Sequence, residues 1–165
     1  MDLTELATRL GMQLSALGAQ VTTAESCTGG GIAEAITRVA GSSAWFEAGY
    51  VTYSNAQKTR QLGVPVDLFE TVGAVSREVV ERMASGAQQA SGARFAVAVS
   101  GIAGPGGGTP QKPVGTVWVA WADGERLFAR RCLFAGDRQA VRGQTVETAL
   151  VGLIRLVAGE NPLQG

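Results

Sequence analysis

The sequence predicts a single three-layer α/β/α domain, spanning residues 1–165, with a mixed β-sheet at its centre. Helical and strand patterns alternate along the first half of the chain, which favours parallel strands joined by helices. Residues 95–99 are continuously apolar, as is typical of a strand buried on both faces. A hairpin pattern follows them and adds antiparallel strands. At 165 residues the chain is long enough for one core and too short for two ordinary domains.

The elements of the first half follow from hydrophobic spacing and glycine punctuation. Leucine and alanine recur at intervals of three and four residues from Leu3 to Leu17, which predicts a helix that Gly18 ends. A strand at 21–25 leads through a glycine turn into a second helix. In chain order, the further predictions are a helix at 32–39, a strand at 45–54 rich in aromatic and β-branched residues, and a short helix at 57–62.

The second half begins with a helix that Ser76 can cap and continues with the buried strand at 95–99. Five glycines and three prolines between 101 and 113 predict a long loop at the carboxyl end of that strand, where α/β sheets usually bind ligands. The remaining predictions are a helix at 76–90, a hairpin of strands 114–121 and 127–134 joined by Asp123-Gly124, and a helix from Asp137 to about 157.

Composition excludes several classes of function. Fourteen basic and fourteen acidic residues cancel without forming long runs, which argues against nucleic-acid and anionic-membrane partners. The amino terminus lacks the pattern of a signal peptide, and no apolar run approaches the ~18 residues needed to span a bilayer. The two cysteines, Cys27 and Cys132, do not form a disulfide framework, which fits a reducing compartment. We therefore expect a soluble, unprocessed, cytoplasmic protein.

Ser26 and Cys27 lie side by side where the 21–25 strand enters the glycine turn, a position at which α/β folds often place a nucleophile. Unpaired backbone N–H groups at the start of the following helix can stabilise an anion. Cys27 is the rival nucleophile, because a thiol at a helix amino terminus can have a lowered pKa. A buried structural cysteine is the alternative.

The chain contains no histidine, so an activating base must be of another type. Among 14 cationic residues only Lys58 and Lys112 are lysines, which leaves twelve arginines. Lysine can deprotonate in a protein and arginine cannot, which makes Lys58 a candidate base. Its pKa must then fall from about 10.4 to roughly 7 or 8 through burial. A solvated lysine on a surface helix is the alternative.

Four further side chains have more than one interpretation. The hydroxyl of Tyr53 could orient the Lys58 amine or relay a proton, or Tyr53 could be a strand aromatic with its hydroxyl at the surface. Glu25 could pair with Lys58 or cap the helix after the glycine turn. Arg138 and Arg142, one helical turn apart, could bind a phosphate or carboxylate or form an exposed salt-bridged face.

The glycine-rich segment 104–108 resembles a phosphate-binding loop, but it lacks the spacing of a P-loop or a dinucleotide fingerprint. With the other motifs it nevertheless adds to a specific pattern. Together these motifs resemble the CinA carboxy-terminal domain family across nearly the whole chain and in the family's order. The segments that carry the resemblance are 24–30, 41–43, 53–55 with Lys58, 73–76, 101–108, 112–117 and 136–138.

The resemblance implies an enzyme that hydrolyses the carboxamide of nicotinamide mononucleotide to nicotinic acid mononucleotide and ammonia. The chain resembles the stand-alone form of the family, which lacks the additional amino-terminal domain of the longer members. The family's serine, lysine and tyrosine fall on Ser26, Lys58 and Tyr53, and Ser100 stands in place of a threonine. The family's arginine in the last helix matches Arg142, with Arg138 as the alternative.

From the turn, the family motifs and the last helix, we expect the substrate to be bound by Thr28, Gly29, Gly30, Ser100, Gly101, Arg138 and Arg142. We expect no metal or cofactor, a small nucleotide substrate, no nucleic-acid or membrane partner, and a homo-oligomer. Two other functions stay open: a non-catalytic nucleotide-binding module and an amidase that uses Cys27. Ala40 and Arg94 depart from the family pattern without touching the proposed chemistry.

Overall fold

The computed structural model describes residues 2–164, which build one five-stranded sheet in the order β2-β1-β3-β4-β5. Strand β1 is parallel to β2 and β3, whereas β4 is antiparallel to both β3 and β5, so the sheet is mixed as predicted. The strands are β1 (Val21–Glu25), β2 (Phe46–Val51), β3 (Phe95–Gly101), β4 (Thr116–Asp123) and β5 (Arg126–Leu133).

Helices cover both faces of the sheet, and most lie where the sequence predicts them. The exception is α4, a six-residue helix after Pro65 with no fully buried residue. Its Leu68 and Phe69 are half-buried against the second core cluster, and a helix this short has no apolar periodicity to reveal it. The helices are α1 (Leu3–Leu17), α2 (Gly31–Thr37), α3 (Asn55–Leu62), α4 (Val66–Thr71), α5 (Arg77–Ser91) and α6 (Arg138–Val157), with a 3₁₀ turn at Ser42–Ala44.

Strand β2 is shorter than the 45–54 segment predicted from its aromatic and β-branched residues. The chain leaves the sheet after Val51 because Ser54 caps α3, its Oγ accepting a hydrogen bond from the amide of Gln57 at 3.2 Å. Helix α3 accordingly begins at Asn55, two residues before the predicted start. This early turn into a helix brings Lys58 close to the sheet.

The two faces of the sheet differ in side-chain size. Along β3, Phe95, Val97 and Val99 are buried with residues of α1, α2 and α6. The alternate residues, Ala96 and Ala98, belong to a second cluster with residues of α3 and α5. Because alanine side chains extend only a short distance from the sheet, α5 can approach this face closely. The α3/α5 layer therefore sits close to the backbone of the central strands.

The parallel strands end at the same edge of the sheet, where their following segments are tied together. The amide of Ser26 donates to the carbonyl oxygen of Val99 at 3.1 Å, and the amide of Thr52 donates to that of Glu25 at 2.9 Å. The ends of β1, β2 and β3 are thus fixed beside one another. None of the helices within residues 2–164 is both long and apolar enough to cross a membrane.

Trp121 on β4 is the largest fully buried side chain among residues 2–164, and it packs directly on α6. Its indole Nε1 donates to the carbonyl oxygen of Ala149 at 3.0 Å. A Cβ added to Gly152 would lie 2.2 Å from the indole ring, whereas a Cβ added to Gly143 of the same helix would meet nothing within 4 Å. The absence of a side chain at Gly152 is therefore a packing requirement.

These two glycines give a matched test of the packing. We expect Gly152→Ala to lower the free energy of unfolding by about 1–3 kcal/mol, because Trp121 or α6 must shift. Gly143→Ala should raise it by up to about 1 kcal/mol, because alanine is the better helix former and the site has room. Urea unfolding followed by tryptophan fluorescence measures both. Equal effects of the two substitutions would contradict the packing of Trp121 on Gly152.

Candidate active site

The turn that follows β1 is held by the carboxylate of Glu25. Its Oε1 accepts hydrogen bonds from the Thr28 hydroxyl at 2.5 Å and from the Ile32 amide at 2.8 Å, and its Oε2 accepts from the Ala33 amide at 3.0 Å. Glu25 therefore caps α2, which was one of its two predicted roles. The buried carboxylate fixes the turn that carries Ser26 from behind.

Ser26 and Lys58 meet at the carboxyl edge of the sheet. The Lys58 Nζ lies 3.1 Å from the Ser26 Oγ and 3.1 Å from the carbonyl oxygen of Tyr53. The Lys58 side chain is 1 % exposed and Ser26 is 8 % exposed, so the contact is shielded from solvent. The two residues that the sequence singles out 32 positions apart are thus in direct hydrogen-bond contact.

The amine of Lys58 has no counter-charge. No carboxylate within residues 2–164 forms an ion pair with it, and its polar contacts are the neutral oxygens of Ser26 and Tyr53. Burial lowers the pKa of Lys58 from its ordinary value, and the charge interaction with Cys27 opposes this to a smaller extent. The neutral amine, which can accept a proton, is thereby favoured.

The environment of Cys27 shifts the pKa of its side chain upwards, in the opposite direction to that of Lys58. Burial raises the pKa of the Cys27 thiol to about 11, although its own backbone amide lowers it in part. The side chain is 6 % exposed and belongs to the apolar cluster below the sheet edge. The thiol is therefore protonated near neutral pH and is a poor nucleophile.

A cavity of about 300 Å³ opens over Ser26 and Lys58. Ser100 and Gly101, at the end of β3, line this cavity, and Ser100 is buried there; their binding of substrate stays a prediction. The other lining residues are Cys27, Tyr53, Asn55, Ala74, Val75, Ile102, Ala103, Gly104, Gly106, Gly107 and Arg138. The size suits part of a small-molecule ligand.

Tyr53 contacts the site differently from the sequence-based expectation. Its carbonyl oxygen, and not its hydroxyl, accepts from the Lys58 amine. The side chain is 60 % exposed and extends towards α6, where the hydroxyl accepts a hydrogen bond from Arg138 at 3.0 Å. Arg138 also donates to the carbonyl oxygen of Gly104 at 3.0 Å, so it joins two walls of the cavity.

Arg142 lies behind the turn. Its guanidinium donates to the carbonyl oxygens of Cys27 at 3.2 Å and Thr28 at 3.1 Å. Gly29 and Gly30 have positive φ angles of 59° and 104°, a backbone conformation that is unfavourable for residues other than glycine. Within residues 2–164, the lining of the Ser26 cavity does not include Thr28, Gly29, Gly30 or Arg142.

A second cavity, of about 760 Å³, adjoins the first and shares Ala103 and Arg138 with it. Arg142 lines this second cavity. Of the two arginines proposed for an anionic group, Arg138 therefore faces both spaces and Arg142 faces one. No group of three or more histidine, cysteine or acidic residues within 2–164 is arranged to hold a metal ion.

Sequence reasoning did not single out three of the residues that line the Ser26 cavity. Asn55 is the first residue of α3, three positions before Lys58 and on the same side of that helix. Ala74 and Val75 lie between α4 and α5. All three belong to motifs that carry the family resemblance, which is the signal that could have identified them.

Comparison with known proteins agrees with this geometry. The family model described as the CinA C-terminal domain matches residues 3–157. A Pseudomonas putida protein named nicotinamide-nucleotide amidohydrolase PncC is 75 % identical over 154 residues, covering 93 % of this chain and 96 % of its own. The Escherichia coli K12 protein of the same name is 54 % identical over 151 residues, covering 90 % and 91 %.

Solved structures of the same superfamily have the same fold. A CinA superfamily protein from Klebsiella pneumoniae superposes with a TM-score of 0.93 at 39 % identity, covering 96 % of this chain and 99 % of its own. A competence/damage-inducible protein from Agrobacterium tumefaciens gives a TM-score of 0.92 at 47 % identity, covering 94 % and 96 %. The three-layer α/β prediction is therefore confirmed, and the chain belongs to the CinA C-terminal domain family.

Proposed function

We propose that this protein hydrolyses the carboxamide of nicotinamide mononucleotide to the carboxylate and ammonia, with Ser26 as nucleophile and Lys58 as base. The observation that carries the proposal is the 3.1 Å contact between Ser26 Oγ and an uncompensated Lys58 amine in a cavity. The names of the Pseudomonas putida and Escherichia coli relatives support the same substrate and reaction.

The first half of the reaction forms an acyl-enzyme. The neutral Lys58 amine accepts the proton of the Ser26 hydroxyl as Oγ attacks the amide carbon. Lys58 then donates that proton to the departing nitrogen, which leaves as ammonia, and an ester to Ser26 remains. The Tyr53 carbonyl accepts one N–H of the amine at 3.1 Å, which supports an orientation with the nitrogen lone pair towards Ser26.

The second half hydrolyses the ester. Lys58 accepts a proton from the attacking water, and the same proton returns to Ser26 Oγ as the carboxylic acid is released. The net reaction consumes one water and releases one ammonia. Within residues 2–164, no carboxylate pairs with Lys58 to hold it permanently charged, which allows both proton transfers.

A backbone amide of the turn is the donor we propose for the tetrahedral oxyanion. The amides of Ser26 and Gly29 already donate to the carbonyl oxygens of Val99 and of Ser26, respectively. Within residues 2–164, no oxygen accepts from the amides of Cys27, Thr28 or Gly30. Of these three residues Cys27 lines the Ser26 cavity, which leaves its amide as the candidate donor. One such donor is typically worth about 3 kcal/mol in the transition state.

For the phosphate of the nucleotide, the geometry favours Arg138 over Arg142. Arg138 lines the cavity that contains Ser26, and its present acceptors are the neutral oxygens of Gly104 and Tyr53. A phosphate would be a stronger acceptor for its guanidinium. Arg142 is engaged with turn carbonyls and supports the site from behind.

Ammonia release from nicotinamide mononucleotide tests the proposed residues. We expect Ser26→Ala and Lys58→Arg each to lower kcat by at least about a thousandfold, because one removes the nucleophile and the other cannot accept a proton. Cys27→Ala should keep kcat within about tenfold of the wild type, since its thiol takes no part.

Circular dichroism of each variant controls for folding. Activity retained in Ser26→Ala would rule out the serine mechanism, and loss of activity in a folded Cys27→Ala variant would favour a cysteine amidase. A wild-type protein that binds the nucleotide without releasing ammonia would instead be a non-catalytic binding module.

The pH dependence of the rate tests the role of Lys58. Since burial lowers its pKa, kcat/KM should rise with pH and level off at a pH below about 10.4, the ordinary lysine value. The measurement is kcat/KM for nicotinamide mononucleotide between pH 6 and 11. A rate that is flat over this range, or that falls as pH rises from 6, would contradict a lysine base.

The same lowered pKa predicts a change in stability with pH. Below the folded-state pKa of Lys58, both states are protonated and the folded state contains a desolvated ammonium. Above it, the unfolded state binds the extra proton, so the free energy of unfolding gains a contribution that grows until about 10.4. Lys58→Met should remove this rise and be more stable near pH 7, by about 1–2 kcal/mol. Urea unfolding at several pH values measures both, and identical profiles would contradict the prediction.

A further inference from the structure

We propose that Lys112 is a positioning residue, which fixes the glycine loop, residues 104–108, as a wall of the Ser26 cavity. Lys112 is the second of the two lysines in the chain, and the reaction described above does not use it. The inference rests on the proposed function, because it assigns a role in substrate binding at the same site.

Residues 109–112 form a tight turn at the end of the glycine loop. The Thr109 amide donates to the carbonyl oxygen of Lys112 at 2.9 Å, and the Lys112 amide donates to the Thr109 hydroxyl at 3.0 Å. Pro110 restricts the backbone inside the turn. Arg131 of β5 also donates to the carbonyl oxygen of Gln111, at 2.8 Å. The backbone of Lys112 is therefore well fixed.

The Lys112 ammonium reaches across to the end of α4. Its Nζ donates to the carbonyl oxygen of Val72, the C-cap residue of α4, at 2.6 Å. A cation at a helix carboxyl end is favourable, because carbonyl oxygens there lack helical partners. No acidic residue within 2–164 forms an ion pair with Lys112. The hydrogen bond to the Val72 carbonyl is therefore the contact through which the Lys112 ammonium acts in the structure.

The contact joins two segments that line the cavity. Ala74 and Val75, which line the cavity, are separated from Val72 by Gly73 alone, and glycines of the 104–108 loop contribute to the same lining. Glycine has no side chain to pack, so the ends of the loop must fix its position. Arg138 holds one end through the Gly104 carbonyl, and the turn carrying Lys112 holds the other. Loss of the Lys112 contact should loosen the wall without touching Ser26 or Lys58.

The experiment compares Lys112→Met and Lys112→Arg with the wild type in steady-state kinetics on nicotinamide mononucleotide. For Lys112→Met we expect KM to rise about tenfold, because a charge-assisted hydrogen bond is lost, while kcat stays within twofold and the pH profile is unchanged. Lys112→Arg keeps a charged donor and should restore KM to within about threefold. Arg126→Met, which removes an exposed cation from the β4-β5 hairpin, is the matched control.

Amide hydrogen exchange of the 104–108 segment gives a readout independent of activity. Lys112→Met should speed exchange there and at 72–75, and leave the β-strands unchanged. Unchanged KM and exchange would overturn the proposal, and faster exchange throughout the chain would show a general structural role instead. If the wild type releases no ammonia, the proposed function fails, while the exchange comparison still tests whether Lys112 holds the loop.

Discussion

The buried, uncompensated amine of Lys58 is the constraint on which the rest of the site depends. A desolvated ammonium is costly, and within residues 2–164 no carboxylate offsets it, so burial favours the neutral form. The two neutral oxygens that it contacts, from Ser26 and Tyr53, suit the proton transfers that we propose for this amine. The proposed role of Lys58 would come at some cost in stability, as is common for catalytic groups.

Ser26, the proposed nucleophile, lies on a turn that is held as firmly as Lys58. Glu25 ties the turn to the first amides of α2, and Arg142 binds two of the turn's carbonyl oxygens. These charged groups lie behind Ser26, where they support the turn without competing for the substrate. The Arg142 guanidinium, which could bind an anionic ligand, thus fixes the backbone of the turn instead.

The asymmetric sheet explains how Lys58 can be so close to β1. Alanines on one face allow α5 to lie near the strands, and α3 packs closely on α5. A Cβ added to Gly86 of α5 would lie 2.0 Å from the carbonyl oxygen of Leu62 in α3, so this approach leaves no room for a side chain. The close approach of the α3 and α5 backbones to the sheet therefore places Lys58 beside Ser26.

The sequence by itself determined the fold class and most elements, because periodicity is local. It made Ser26 and Lys58 candidates, because a chain without histidine and with two lysines offers few bases, and the structure showed that the two are in contact. Family motifs indicated the residues at the sheet edge. The tertiary structure alone decided that Glu25 caps α2, that the Tyr53 carbonyl faces Lys58, and that Arg138 lines the cavity. It also revealed α4, which has no fully buried residue. These features depend on the direction of a side chain or carbonyl relative to distant segments, and the spacing of residues along a chain does not encode it.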